Sequence, residues 1–192
     1  ISPKLGITYR IDDAHSVYSQ YAAGFRAPNP VDIFGEFINF ARNYQTIANP
    51  SLKPETSDSY EVGLRGQYPT GAFGVALFYN RYDDFIEQVT LANDPTGAGR
   101  MTFQYQNLDR VTIRGAEARG ELLLDSLGMP AGSHLRSAIA YARGKDEATG
   151  QPINSIDPLK AVLGLGYDAP SGRFGGELTL SLIHISEPTR LG

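Results

Sequence analysis

The sequence contains no cysteine and no tryptophan in its 192 residues. Without cysteine there are no disulfide bonds, no thiolate metal sites and no cysteine nucleophile. It also lacks any apolar run of the roughly 20 residues that a membrane-spanning helix needs. Basic residues are the minority, 17 against 21 acidic residues, for a net charge of −4. Because a phosphate backbone needs a basic surface, no nucleic-acid partner is expected.

The composition is nevertheless that of a chain that folds. It is 41% hydrophobic and 20% charged, which excludes collagen-like and disordered classes. The dominant periodicity is two, as expected for strands with one apolar and one polar face. Near the N-terminus, for example, Leu5, Ile7 and Tyr9 alternate with Lys4 and Arg10.

The strand-like segments are unusually long. There are about eight, most of about 9 to 13 residues, whereas globular strands average about 5 or 6. A transmembrane β-strand needs about 9 to 11 residues that alternate apolar-out with polar-in. Tyrosines lie near strand ends on the apolar face, where an aromatic girdle is expected; they are Tyr9, Tyr68, Tyr79, Tyr141 and Tyr167. Charged residues on the polar face suit an aqueous lumen; they are Lys4, Arg10, Glu61, Arg65, Arg136 and Lys160.

The connections support the same interpretation. Short links alternate with long ones; the short links are residues 12–14, 69–71, 125–132 and 168–172, and the long ones are 26–56, 87–102 and 144–158. Short turns on one rim and long loops on the other are typical of outer-membrane barrels. The segments 78–89 and 101–110 are expected to run past the bilayer. The predicted fold is an all-β antiparallel transmembrane barrel fragment, and a soluble β-sandwich is the alternative.

The connection 26–56 is the most informative stretch, because structureless links longer than about 12 to 15 residues are usually functional or disordered. The spacing of Phe34, Phe37, Ile38 and Ala41 predicts a short helix, with Asp32 as its cap. One interpretation is a ligand-contacting loop. Its apolar surface would come from aromatic residues and its charge from two arginines; these are Phe34, Phe37, Phe40, Tyr44, Arg26 and Arg42. The other interpretation is a loop that packs only on itself.

Two short boxes flank this loop. The first is Phe25, Arg26, Ala27 and Pro28, and the second is Asn49, Pro50, Ser51 and Leu52, followed by Lys53, Pro54, Glu55 and Thr56. Together they resemble the paired FRAP and NPNL boxes of TonB-dependent outer-membrane haem receptors. The segments 59–65 and 111–117 are also similar to that family, most of all to its haemoglobin, transferrin and lactoferrin receptor branch.

This resemblance implies a barrel of about 22 strands around an N-terminal plug, of which this chain would supply about eight strands and no plug. It implies a receptor in the bacterial outer membrane for active uptake of haem or haem-protein iron, not an enzyme. Haem would be the transported ligand, with no catalytic cofactor. The implied partners are membrane lipid, the TonB system through the missing plug, and a host haemoprotein.

One departure from the family concerns the haem ligand. Receptors of this type commonly place an axial histidine between the boxes, but residues 29–48 contain none. Both His15 and His134 are expected near the opposite rim. Tyr44 is then the remaining candidate, since a phenolate binds haem iron, with Arg42 beside it to favour the phenolate or meet a propionate. The predicted ligand-binding set is Arg26, Arg42, Tyr44, Phe37, Phe40 and Asn49.

Two alternatives stay open at this point. A siderophore receptor would have the same fold and needs no histidine. An outer-membrane barrel enzyme, such as a lipase or protease, would need a nucleophile or paired acids near the outer rim. The acidic pairs at 12–13, 83–84 and 146–147 are instead expected to be solvated charges in turns.

Both ends of the chain are expected to be non-natural. It begins with Ile1, without a signal-peptide pattern. Residues 180–190 resemble the translation of an adaptor used to build sequencing libraries. The expected division is a partial barrel domain over residues 1–181 and a non-native tail over residues 182–192.

Overall fold

The computed structural model describes residues 2–92, 94–153, 155–157 and 159–184. Residues 183 and 184 are described by their backbone alone. Its elements, in chain order, are β1 (Lys4–Arg10), β2 (His15–Arg26), α1 (Pro30–Phe34), β3 (Phe37–Asn39), β4 (Tyr44–Ile47), β5 (Glu55–Tyr68), β6 (Gly71–Thr90), β7 (Met101–Leu123), a 3-10 turn (Leu124–Leu127), β8 (Ser133–Asp146), β9 (Leu159–Asp168) and β10 (Gly175–His184). The expected tail overlaps β10 over residues 182–184; its remainder, 185–192, lies outside the described residues.

Eight of these strands form one up-and-down antiparallel sheet. Its order is β1-β2-β5-β6-β7-β8-β9-β10, so each strand pairs with the next one along this path. The two short strands β3 and β4 lie off the path. The prediction of an all-β antiparallel fold with about eight long strands is confirmed. Its alternating links are present as well, because the connections before β5, β7 and β9 are the long ones.

One face of the sheet is apolar and exposed. Cross-strand partners share a face, and the register brings Val62, Leu77, Ala116 and Tyr141 into one row. At the two edges, Leu5 keeps 75% of its surface exposed and Leu180 keeps 65%. No second layer covers this face within the described residues, which argues against the soluble β-sandwich. Long strands with such a face are typical of transmembrane barrels.

The opposite face is polar and carries a network of hydrogen bonds. The Tyr18 hydroxyl donates to Glu61 Oε1 at 2.6 Å, and the Arg65 guanidinium lies 4.2 Å from the centre of the Tyr18 ring. Three strands beyond β5, Arg136 of β8 donates to Glu121 and Glu177 at 3.1 Å each. Of the charges predicted for this face, Glu61 and Arg65 thus contact Tyr18, and Arg136 contacts two glutamates. Lys160 lies 2.9 Å from Asp157, so most of these charges have a polar or aromatic partner, as suits a wet surface.

The apolar core lies at the rim with the long connections. Phe85, Val111, Ile113 and Ile153 form a buried cluster. Ile153 comes from the connection after β8, which folds back onto the polar face of the sheet. Strands β6 and β7, of 20 and 23 residues, exceed the about 11 residues that cross a bilayer. The expectation that they extend past the membrane is therefore supported by their length.

The helix in the long connection lies earlier than predicted. Asn29 is its N-cap and its side chain accepts from the amide of Val31, Pro30 opens it, and Gly35 ends it after one turn. The predicted cap, Asp32, lies inside this helix, and Phe37 belongs to β3. The prediction that the helix extends to Ala41 was wrong, because the chain forms a β-hairpin after Gly35. Among the described residues, no helix has the length and apolarity to cross a membrane.

Candidate functional site

The long connection between β2 and β5 is an ordered platform at the rim. Strands β3 and β4 form a hairpin, and β4 then pairs in parallel with the start of β7, with Tyr44 opposite Met101. Strand β8 pairs with β7 only from Val111 onward. The earlier part of the same β7 edge is therefore open, and β4 pairs with it there. Backbone pairing to a strand of the sheet therefore fixes the loop in place.

The second box anchors this platform. Asn49 donates from its backbone amide to Asp32 of α1 at 3.3 Å and from its side-chain amide to the Tyr105 carbonyl at 2.7 Å. Its side-chain oxygen accepts from the amide and hydroxyl of Ser51. Asn49 thus joins the helix, β7 and the following turn. Every polar group of its side chain is engaged, so its role in the structure is to hold the loop.

The first box forms the other side of this closure. Arg26 Nη1 lies 3.5 Å from Glu55 Oε2, and Glu55 is buried and accepts from the Ile86 amide at 3.0 Å. Arg26 and Glu55 are also direct partners in the ladder between β2 and β5. The two boxes therefore meet through Arg26 and Glu55, at the two ends of the loop. The other box residues Ala27, Pro28, Pro50 and Leu52 lie in the connecting turns.

A groove of about 770 Å³ lies on the hairpin side of the platform. Its lining combines aromatic, thioether and polar groups: Phe37, Arg42, Asn43, Tyr44, Thr46, Gln88, Met101 and Phe103. The Tyr44 ring is central, since its centroid lies 5.9 Å from those of both Phe37 and Phe103. Ligand pockets of this size are commonly apolar with a few polar groups that orient the ligand.

The structure brings together three of the predicted ligand residues and separates the other three. Phe37, Arg42 and Tyr44 line the groove. Phe40 points elsewhere, with the Arg100 guanidinium 5.2 Å from its ring centre. Arg26 and Asn49 are engaged in holding the loop, as described above. Within the described residues, neither the Tyr44 hydroxyl nor the Arg42 guanidinium has a hydrogen-bond partner, which leaves both free to meet a ligand.

Five lining residues were missed from the sequence: Asn43, Thr46, Gln88, Met101 and Phe103. The last three belong to β6 and β7, so no local pattern connects them to the loop. The pairing of Tyr44 with Met101 across 57 positions is what places them together. Only an indirect indication of these residues exists in the sequence. The unusual length of the β6 and β7 segments indicates that this region lies beyond the bilayer.

Asp94 ties the neighbouring connection to the platform. It accepts from the Thr96 hydroxyl at 2.6 Å, from the Gln45 side chain at 3.0 Å and from the Thr102 hydroxyl at 3.2 Å. Amides of Thr96 and Arg100 also donate to it. These donors, the Thr96 hydroxyl first, hold the pKa of Asp94 far below its ordinary value. The connection 91–100 is therefore locked to β4 by an ionised carboxylate.

The acidic pairs do not form a catalytic pair. Asp83 is held by Arg81 and Arg110, and Asp12 caps the turn before His15. Asp146 was expected to be solvated, but it is buried and accepts from Ala148 and Thr149, because the turn after β8 closes around it. His15 is the first residue of β2 and His134 the second residue of β8, so both lie at the rim of short turns, as expected.

The fold agrees with comparisons to known proteins. Residues 1–189 match the family described as TonB dependent receptor-like, beta-barrel. The chain belongs to this family, whose members are outer-membrane proteins of Gram-negative bacteria, and its sheet is part of such a barrel. Family members are receptors and transporters.

Among curated relatives, the hemoglobin-haptoglobin utilization protein B of Neisseria meningitidis serogroup C is 35% identical over 188 residues, covering 88% of this chain and 23% of that protein. Lactoferrin-binding protein A of N. meningitidis serogroup A is 26% identical over 97% of this chain and 21% of its own length. The chain thus spans about a quarter of these relatives.

Solved structures share the fold at lower identity. The siderophore receptor PirA of Pseudomonas aeruginosa gives a TM-score of 0.66 at 18% identity, covering 95% of this chain and 30% of PirA. The copper transporter OprC also gives 0.66, at 21% identity, covering 85% of this chain and 23% of OprC. At such identities the likeness concerns the barrel architecture alone.

Proposed function

We propose that this chain is part of a TonB-dependent receptor that takes up haem or haem-protein iron. The supporting observation is the groove that gathers Tyr44, Phe37, Phe103 and Arg42 beyond the membrane-spanning part of the sheet. Flat aromatic walls suit a porphyrin, a phenolate binds ferric haem iron, and a guanidinium pairs with a carboxylate. The names of several relatives point the same way, since they refer to haemoglobin.

A host haemoprotein is the proposed source of the haem. The platform leaves large apolar side chains uncovered, with Phe34 exposed by 73% and Phe40 by 77%. Exposed apolar patches of this kind commonly mark protein interaction sites. These residues lie next to the groove along the chain, so a bound protein would present its haem to Tyr44. No residue of the chain is assigned a catalytic role.

The complete receptor is proposed to include a plug and further strands beyond these eight, with the TonB system as its partner through the plug. The proposed division of this chain is residues 1–181 as barrel and 182–192 as a non-native tail. A siderophore receptor is the second candidate. It is supported by the fold shared with PirA and by the absence of histidine between the two boxes.

The test is a haem titration of the full-length receptor and its Tyr44→Phe variant. We expect Tyr44→Phe to shift the Soret band and to weaken ferric haem binding by about tenfold or more, since it removes the only proposed iron ligand. The matched control is Tyr60→Phe, which changes a tyrosine of the apolar face. An unchanged Soret band and affinity in Tyr44→Phe would refute the ligand assignment.

Growth separates the two candidates. A strain that lacks the receptor should fail to grow on haemoglobin as sole iron source and should keep its growth on ferric siderophores. Growth on haemoglobin that survives the deletion would contradict haem uptake as its indispensable role, and loss of siderophore use alone would favour the second candidate.

A further inference from the structure

Two arginines lie directly opposite each other on the apolar face. Arg114 of β7 is the ladder partner of Arg143 of β8. Arg114 shares its face with Ala116 and Arg143 shares its face with Tyr141, because residues two apart on a strand point to the same side. Both arginines are exposed. Like charges at opposed positions of a sheet destabilise it unless an anion lies between them.

Neither arginine has a carboxylate partner within the described part of the chain. Their basic neighbours do have one: Arg110 lies 3.1 Å from Asp83, and Lys145 lies 3.0 Å from Glu147. Among these neighbouring basic residues of β7 and β8, the pair is therefore the part without a carboxylate partner. Two adjacent guanidinium groups present planar forks of N–H donors, which match the geometry of a phosphate group.

The position of the pair selects a lipid as the source of the phosphate. Arg114 continues a cross-strand row of tyrosines, Tyr21, Tyr60 and Tyr79, at the end of the sheet that carries the long loops. Such aromatic rows lie at the level of the lipid headgroups. An arginine there costs little, whereas the same residue near the bilayer midplane would be strongly destabilising.

A shallow groove lies on the apolar face between this pair and the rim of short turns. Its volume is about 550 Å³, and small residues on β7 to β9 form its floor while larger side chains form its walls; these residues include Ala118, Gly120, Ala161, Val75, Ile139 and Leu163. Ala118 is four residues from Arg114, or about 13 Å along the strand. A lipid held at its headgroup by the arginines would lay an acyl chain in this groove.

We propose that Arg114 and Arg143 bind the phosphate of a lipid headgroup in the outer leaflet, with one acyl chain in the groove over β7 and β8. The assignment rests on the barrel fold and its register, and it holds whichever iron source the receptor takes.

The test measures lipid retained by the purified full-length receptor, using native mass spectrometry and the phosphorylated glycolipid lipid A as probe. We expect the wild-type receptor to retain lipid A and to discriminate against the same glycolipid without its phosphates. The double variant Arg114→Gln/Arg143→Gln should retain it at least about tenfold less, since charge-assisted hydrogen bonds to phosphate are lost. The variant Arg114→Lys/Arg143→Lys should bind in between, because lysine keeps the charge without the fork.

The matched control is Lys4→Gln/Arg10→Gln, which removes the same charge from the polar face on β1, away from the groove. Equal retention by the wild type and Arg114→Gln/Arg143→Gln would overturn the proposal, as would equal retention of the phosphate-free glycolipid. Displacement of lipid A by millimolar inorganic phosphate would show a site for free phosphate instead. If the glutamine double variant fails to fold for unrelated reasons, the lysine double variant provides the test. Equal lipid retention by the wild type and the lysine double variant would overturn recognition of the phosphate by two guanidinium groups.

Discussion

At the scale of single residues, side chains that lie close over glycines shape the polar face, and Tyr18 is one of them. Gly63 of β5 lies under the Tyr18 ring, and a side chain there would overlap the ring atoms. The missing Cβ lets Tyr18 lie flat across β5, where its hydroxyl reaches Glu61 and its ring meets Arg65. Glycine under an aromatic ring is a known means of fixing strand register.

We therefore expect Gly63→Ala to destabilise the receptor by about 1–3 kcal/mol, the usual cost of overpacking. The added methyl group would displace Tyr18 and break its bond to Glu61. The measurement is the urea midpoint of the full-length receptor in detergent. Gly6→Ala is the control, since its Cβ would meet only ordinary contacts at 3.9 Å. Equal midpoints for the two variants would contradict this account of Tyr18.

Residue types alone predicted some of the candidate site. Tyr44, Phe37 and Arg42 stood out in the sequence because a loop between two strands rarely carries so many aromatic and basic residues without a role. The structural role of Asn49 and Arg26 was not predictable in the same way. Both had the chemistry of ligand-binding residues, and only the positions of Tyr105 and Glu55 show that their polar groups are engaged.

At the scale of elements, the two long connections behave as one unit. Gln45 of β4 is buried and donates to Asp94, Thr96 and Thr102, so the connection 91–100 and the platform share one set of hydrogen bonds. The groove depends on this arrangement, because Met101 and Phe103 follow directly after the connection. Changes at Asp94 should therefore reach the Tyr44 side of the platform.

The low pKa of Asp94 predicts a dependence of this unit on pH. A carboxyl group with a depressed folded-state pKa contributes stability above its unfolded pKa of about 3.9, and this contribution is lost as pH falls toward the folded value. We expect the exchange protection of the Thr96 and Arg100 amides, corrected for intrinsic rates, to be constant from pH 7 to about 4.5 and to fall below about 4.

Asp94→Asn should lower this protection at pH 7 and remove most of its change with pH. Asp13→Asn, in an exposed turn at the opposite rim, is the control. Protection in Asp94→Asn that still falls below about pH 4 would assign the acid sensitivity to another group.

The long strands could be predicted from the sequence and the platform could not, for one physical reason. Alternation with a period of two is local, so β1, β5, β6, β8, β9 and β10 are visible in the sequence, whereas β2 and β7 alternate less clearly. The hairpin of β3 and β4 has only three and four residues per strand. Its stability comes from pairing with β7, more than 50 positions away, and local helical spacing of Phe34 and Phe37 therefore misled the prediction.

At the scale of the whole molecule, the sheet has two free edges within the described residues. β1 pairs with β2 alone and β10 with β9 alone. In a bilayer each unsatisfied backbone group costs several kcal/mol, so spanning sheets close into barrels. The charged polar face also suits a wide bore, since an eight-stranded barrel must fill its interior with side chains.

Closure of the sheet can be tested with introduced cysteine pairs, because the chain has no cysteine of its own. In the isolated 192-residue chain in lipid vesicles, Thr8→Cys/Thr179→Cys should not form an intramolecular disulfide, because β1 and β10 would be neighbours only in a closed eight-stranded barrel. The positive control is Arg10→Cys/Ser16→Cys, whose positions are direct ladder partners. We also expect no compact monomer that unfolds on heating in a gel. A heat-sensitive monomer with a complete 8–179 disulfide would mean that these eight strands close on themselves, and the proposed wider barrel would then be wrong.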